Sequence, residues 1–423
     1  MTGSTTGLRR GFSALGHRNF RLFWFGQLIS LVGTWMQTVA QSWLVLELTG
    51  DPVALGITAA VQFLPVLLFG LFGGLIADAL PKRRTLYVTQ GGSAVLALIL
   101  GVLVATDSVQ VWMVWILAAA LGVLNAVDMP VRQSFVVEMV GREDVANAVA
   151  LNSAVFNGAR IVGPALGGIL IGIFGLAVAF LLNAASFVAV LVGLFLMRED
   201  ELLPAVRPPR PHTVGGVMAQ LGEGLRFVRD TPLILAAIAV LGVVSTVALN
   251  FQVLIPVYAQ DTLRGDATTY GYLMAASGVG SLAAALAIAY GMRPTLRLLL
   301  AGAALIGLAL IALAASPSLA ISLPIMGVLG WSVISMAATT NTLIQLNVPD
   351  VLRGRVMSVY TTVFAGSTPI GGLFTGLLAG AAGVAATMVV AGVVSLTTAG
   401  VAFARLPDLV RTDPKAPAPQ GYR

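Results

Sequence analysis

The chain has 423 residues, of which 57% are apolar and only 10% charged, and its net charge is +6. Soluble domains run near 45 to 50% apolar and about 25% charged, so this chain has too little polar surface to cover a globule in water. It reads as a membrane protein, which excludes soluble enzymes and nucleic-acid binders. At about 20 residues per crossing, twelve spanning helices take roughly 250 residues.

In chain order, residues 1–19 form a polar, basic tail without a small-residue cleavage site, so the first span is expected to stay in the protein. Apolar stretches follow near 20–47, 54–79, 85–105, 109–130, 148–173 and 176–197, and six more near 233–259, 269–291, 295–315, 319–343, 356–380 and 383–405. The fold expected is an all-α membrane protein of twelve transmembrane helices in two six-helix bundles, 20–197 and 233–405. A polar linker, 198–232, separates them, and 406–423 is a second tail. Of the 24 lysines and arginines, the alternation of spans leaves only Arg264 outside and only Arg160 at membrane depth. Basic residues in short loops stay cytoplasmic, so both ends are expected there. The positive charge then orients the spans and meets anionic membrane lipid, with no nucleic-acid partner required.

Several chemistries are excluded by residue type. There is no cysteine, hence no disulfide, thiolate metal site or cysteine nucleophile. Both histidines, His17 and His212, lie in polar segments, and neither lysine, Lys82 or Lys415, sits in a P-loop. No cofactor or metal is implied, nor an ATP-driven enzyme.

The halves resemble each other at an offset of about 210 residues, GLIADALPKRRTL (74–86) against AALAIAYGMRPTL (284–296) and VFNG (155–158) against VFAG (363–366). Duplicated six-helix units predict a midplane site that the two bundles open to one side at a time. Polar stripes should line it, because a lipid-facing helix gains nothing from hydrogen-bonding side chains. Gln27, Ser30, Thr34, Gln37 and Gln41 share one face of the first span at spacings 3, 4, 3 and 4. Ser153, Asn157, Arg160 and Pro164 repeat in the fifth span, Tyr270, Met274, Ser277 and Ser281 in the eighth, with Asn250 in the seventh and Thr339 in the tenth. The competing reading of each stripe is hydrogen bonding between helices, worth about 0.6 kcal/mol a pair. Small residues four apart, as at Gly163, Gly167, Gly168 and Gly172 or Gly372, Gly376 and Gly380, mark close helix contacts.

These residues resemble a known family. Gly74, Asp78, Lys82 and Arg83 in GGLIADALPKRR are similar to the cytoplasmic-loop signature of the major facilitator superfamily, and Gly163-Pro164-Ala165-Leu166-Gly167-Gly168 resembles its antiporter signature. DMPVRQSFVVEMVGREDVANAVALNSAVFNGARIVGPALGG (128–168) and RGRVMSVYTTVFAGSTPIGG (353–372) resemble the branch of enterobactin and macrolide exporters. The resemblance spans about 20–405. It implies a twelve-helix bundle with rocker-switch access, driven as a rule by proton antiport.

It also implies a cytoplasmic gate. Asp78 is placed to cap the eleventh helix near Arg353 and Arg355, where the dipole favours an anion, and Lys82 and Arg83 to pair with Asp128. Two departures stand out: Pro81 where the family usually has Gly, and Ile288 opposite Asp78 in the second half. The candidate proton carriers are Asp128, with Arg132 one turn on, and Glu47. Arg160, a charge at membrane depth, reads either as a structural partner for helix-four groups or backbone carbonyls or, the sharper reading, as a gate or binding charge whose counter-ion changes during the cycle. A lining of amides, hydroxyls, Tyr270, Met274, Trp115 and Trp331 with one positive charge suits an amphipathic molecule, neutral or weakly anionic.

The function expected is export of an antibiotic, drug or siderophore across a bacterial cytoplasmic membrane in exchange for protons, by a protein acting as a monomer. An uncoupled facilitator or lipid translocator of the same fold is the alternative.

Overall fold

The computed structural model describes residues 12–70, 81–203, 214–291 and 294–405, and they are nearly all helical. The long helices are α1 (Arg18–Thr49), α2 (Pro52–Gly70), α3 (Lys82–Ala105), α4 (Val111–Phe174), α5 (Leu176–Phe195), α6 (Val214–Asp230) and α7 (Pro232–Ala248). After them come the short α8 (Phe251–Val257), then α9 (Ala267–Ala289), α10 (Leu296–Ala314), α11 (Leu319–Asn347), α12 (Asp350–Ala382) and α13 (Val384–Ala404). Among the described residues, ten helices are long and apolar enough to cross a membrane.

Two places break the simple pattern. At 1.5 Å per residue α4 would be ~96 Å long, about three membrane cores. Gly141 divides it, with φ 71° and ψ 179°. The positive φ strains any other residue there, and a β-carbon would also press on the tip of the Leu203 side chain. The seventh crossing is broken as well: α7 ends at Ala248, Asn250 opens α8, and a wide π turn covers Tyr258–Thr262. Asn250 Nδ2 donates to the Thr246 carbonyl (2.7 Å) and to Thr375 Oγ1 (2.9 Å), so a side chain takes up a carbonyl that the break releases.

The chain forms two compact units. Unit 1 comprises Met1–Gly50, Leu64–Pro211 and Gly265–Ala275; unit 2 comprises Asp51–Phe63, His212–Arg264 and Ala276–Arg423. The first turns of α2 therefore pack in unit 2 and those of α9 in unit 1. The core of unit 1 gathers Phe20, Phe23, Leu86, Val131, Phe135, Met139 and Val190, with Phe23 edge-on to Phe135 at 6.4 Å. In unit 2, Val228 of the amphipathic α6 packs with Ile234, Ile344, Val356 and Val359. Arg355 pairs with Glu223 across the α6–α12 contact.

Lipid gives no hydrophobic drive between helices, so close backbone contact through small residues has to hold them. In unit 1 a β-carbon on Gly163 would lie 2.5 Å from Trp35 Cβ, and one on Gly168 2.9 Å from the Ala267 carbonyl. In unit 2 Gly56, which sequence reasoning missed, meets the Gly372 carbonyl, and Gly330 of α11 meets the Ser277 carbonyl of α9. Gly330→Val is expected to force α9 and α11 apart and cost about 3 kcal/mol. A thermal melt of the purified protein should drop accordingly, and an unchanged melting temperature would refute the contact.

Candidate functional site

The glutamine stripe of α1 divides into two kinds of residue. Gln27, Ser30, Gln37 and Gln41 are buried, whereas Thr34 is exposed. Gln27 Oε1 accepts from Arg132 Nη1 (2.8 Å) and Gln37 Oε1 from Asn183 Nδ2 (2.6 Å), so these two amides join α1 to α4 and α5. The accessible polar face of α1 lies around Thr34, with Leu31, Trp35 and Thr38 half-buried beside it. Its apolar exposed face carries Phe25 and Ile29.

The second half of α4 shows the same division. Val149, Ser153 and Phe156 are exposed and Asn157 and Arg160 half-buried along one face. The other exposed face, roughly 140° away round the helix, holds Val162, Leu166 and Ile173 and is purely apolar. An apolar exposed face suits hydrocarbon, and an exposed face with a hydroxyl, an amide and a guanidinium suits water. The polar face ends at Gly163, where α4 closes on Val32, Trp35 and Met36, and stays covered through Gly167 and Gly168. Pro164 is buried at the same level. Arg160 lies fourteen residues before Phe174, or ~21 Å along the axis. Its guanidinium stands over the Trp35 ring at 5.7 Å, and Trp35 meets Phe156 edge-on, also at 5.7 Å. No carboxylate pairs with Arg160 among the described residues.

A buried network runs deeper in unit 1. Asp128 is 3% exposed. Its Oδ1 accepts from Thr89 Oγ1 (2.6 Å) and Gln90 Nε2 (2.8 Å), and its Oδ2 lies 3.3 Å from Arg132 Nε. Arg132 carries the network on to Gln27, so α1, α3 and α4 meet around one carboxylate. Thr89, Gln90 and Asn183 were missed by sequence reasoning, although Thr85, Thr89 and Ser93 at spacings of four are the same kind of polar stripe.

The loop cations do not join that network. Lys82 Nζ pairs with Glu138 at 2.6 Å, and Arg83 pairs with Glu199 and donates to the Leu194 and Phe195 carbonyls. The expected pairing with Asp128 is therefore corrected: Asp128 lies ten residues before Glu138 on α4, ~15 Å away along the axis. Gly74 and Asp78, with the latch assigned to them, fall outside the described residues. Arg353 pairs with Asp350 in the first turn of α12.

Other candidates are spread over both units. In unit 1 Tyr270 is fully buried and stacks on Trp43 at 6.5 Å, Met274 is buried beside the same segment, and Trp43 Nε1 donates to the exposed Glu47 (2.5 Å). In unit 2 Asn250 closes the helix break, while the buried Ser277 and Thr339 hydroxyls have no hydrogen-bond partner among the described residues. Most hydroxyls around them, such as Thr246, Ser332 and Thr340, donate to the carbonyl one turn back.

Comparison with known proteins gives a consistent picture. The family described as transmembrane secretion effector matches residues 9–420. The multidrug efflux pump Tap of Mycolicibacterium fortuitum is 32% identical over 281 residues, 63% of this chain and 66% of Tap. The enterobactin exporter EntS of Escherichia coli O1:K1 is 26% identical over 289 residues, 67% of each chain. Among solved structures, a bacterial homolog of the human lysosomal transporter Spinster, inward-facing and unoccupied, superposes with a TM-score of 0.73 at 14% identity. The match covers 93% of this chain and 98% of that one.

Proposed function

Because the chain belongs to the transmembrane secretion effectors of the major facilitator superfamily, we propose that it exports an amphipathic small molecule by proton antiport with alternating access. It is a multi-pass transporter of the bacterial inner membrane and not an enzyme, as its family and relatives are. Drugs and siderophores, which the names of Tap, the staphyloferrin A transporter and EntS point to, are the substrate classes proposed here. Division of α4 at Gly141, with α1 as the first crossing, supports twelve crossings, and both termini then lie in the cytoplasm.

The observation that carries the reading is the polar, accessible face of unit 1 at membrane depth. Thr34 and Trp35 of α1 and Ser153, Asn157 and Arg160 of α4 lie on it, away from the apolar exposed faces of the same helices. Asp128, a buried carboxylate enclosed by Thr89, Gln90 and Arg132, is the proposed proton carrier, as acidic residues within membrane helices commonly serve in proton relays.

The test is flux in proteoliposomes with and without an imposed pH gradient, with enterobactin and tetracycline as cargoes. At least one cargo is expected to move ten times faster against an opposing proton gradient. Flux indifferent to the gradient would replace antiport with uncoupled facilitation or lipid translocation, and absence of flux for a broad drug and siderophore panel would refute export.

A further inference from the structure

We propose that Arg160, with Trp35 and Phe156 beside it, is the anchoring subsite for the oxyanion of an aromatic amphipathic molecule, so that the preferred cargo is an organic anion. The inference rests on reading the polar face of unit 1 as the substrate face.

A guanidinium carries five N–H donors in a plane and cannot shed its proton. The contact with Trp35, Cζ to ring centroid 5.7 Å, is to the ring and takes up no hydrogen-bond acceptor. No described residue accepts a hydrogen bond from Arg160 or pairs with it, and the side chain is half-buried on the face that carries Ser153 and Asn157. A charge at bilayer depth is costly on insertion scales and is tolerated when it faces water or a partner. The buried charges of the α3–α4 network in unit 1 are matched: Asp128 has Arg132, Thr89 and Gln90, and Arg132 has Asp128 and Gln27. Arg160 is left for something that arrives.

What arrives is defined by its surroundings. A carboxylate or catecholate accepts two parallel N–H bonds from one guanidinium, a geometry that a single amine or hydroxyl does not satisfy. Trp35 and Phe156, edge-on to each other, form an apolar shelf next to the guanidinium for the aromatic part of the same molecule. A cationic drug would meet like charge, with no acidic residue among the described residues of this face to receive it.

The natural absence of cysteine makes a direct test simple. Asn157→Cys places one thiol a turn from Arg160. It is reacted with anionic sulfonatoethyl and cationic trimethylammonioethyl methanethiosulfonate, each rate divided by that with free 2-mercaptoethanol. The normalised anion-to-cation ratio is expected to exceed ten, to persist in Arg160→Lys, and to fall to about one in Arg160→Gln. A ratio near one beside intact Arg160, or a ratio unmoved by glutamine, would overturn the anion subsite alone. Reaction with neither reagent would overturn the polar-face reading and the subsite with it. In detergent, dansylglycine should bind at least tenfold more tightly than dansylglycinamide, and Arg160→Gln should abolish the difference; equal binding of the two by the unsubstituted protein counts against the proposal.

Discussion

Arg160→Ala is expected to abolish export while the protein inserts and folds at least as well as the parent. The two halves of that result come from one fact: the guanidinium has no partner among the described residues beyond the Trp35 ring. Removal therefore breaks no ion pair, and it relieves the insertion penalty of about 2.5–3.5 kcal/mol that a central arginine carries on translocon scales. A residue held for structure behaves in the opposite way, losing stability when truncated. Yield in membranes, elution profile and melting temperature should match or exceed the parent values, and flux should fall by at least a hundredfold. Wild-type flux in this variant would remove Arg160 from the mechanism. A lowered melting temperature would show instead that the side chain serves to hold α1 and α4 together.

Asp128 gives the second large effect, and here two substitutions part company. Asp128→Ala leaves the Arg132 guanidinium in a mostly buried site with Gln27 as its remaining partner, and it strips an acceptor from Thr89 and Gln90. Breaking one side of such a pair costs about 3–5 kcal/mol, so this variant should melt well below the parent or fail to accumulate. Asp128→Asn keeps shape and one acceptor and should fold. If Asp128 carries the proton, the asparagine protein will exchange substrate down its own gradient yet show no acceleration by an imposed pH gradient. Acceleration equal to that of the parent would assign the proton to another group, with Glu47 next in line.

The helices and the polar stripe of the first span follow from periodicity alone, because 3.6 residues per turn decides which side chains share a face. What a face meets is decided elsewhere. Gln37 finds Asn183 from 146 positions away and Gln27 finds Arg132 from 105, and both amides are thereby enclosed by neighbouring helices. The accessible centre on α1 moves to Thr34, one member of the same stripe. The partner of Lys82 was misjudged for a related reason. Asp128 and Glu138 are both acids on α4, and only their depth along it, with the bend at Gly141 beyond, separates the reachable one from the unreachable one.

The interrupted seventh crossing has one more consequence. A gap in a rod that spans a charged membrane is a place where small ions can slip through once water threads it. Asn250 fills the gap with its own amide, hydrogen-bonded to Thr246 and Thr375 and only 5% exposed, which leaves little room for water at the break. Shortening that plug, as in Asn250→Ala, should make sealed vesicles leak protons without any cargo present.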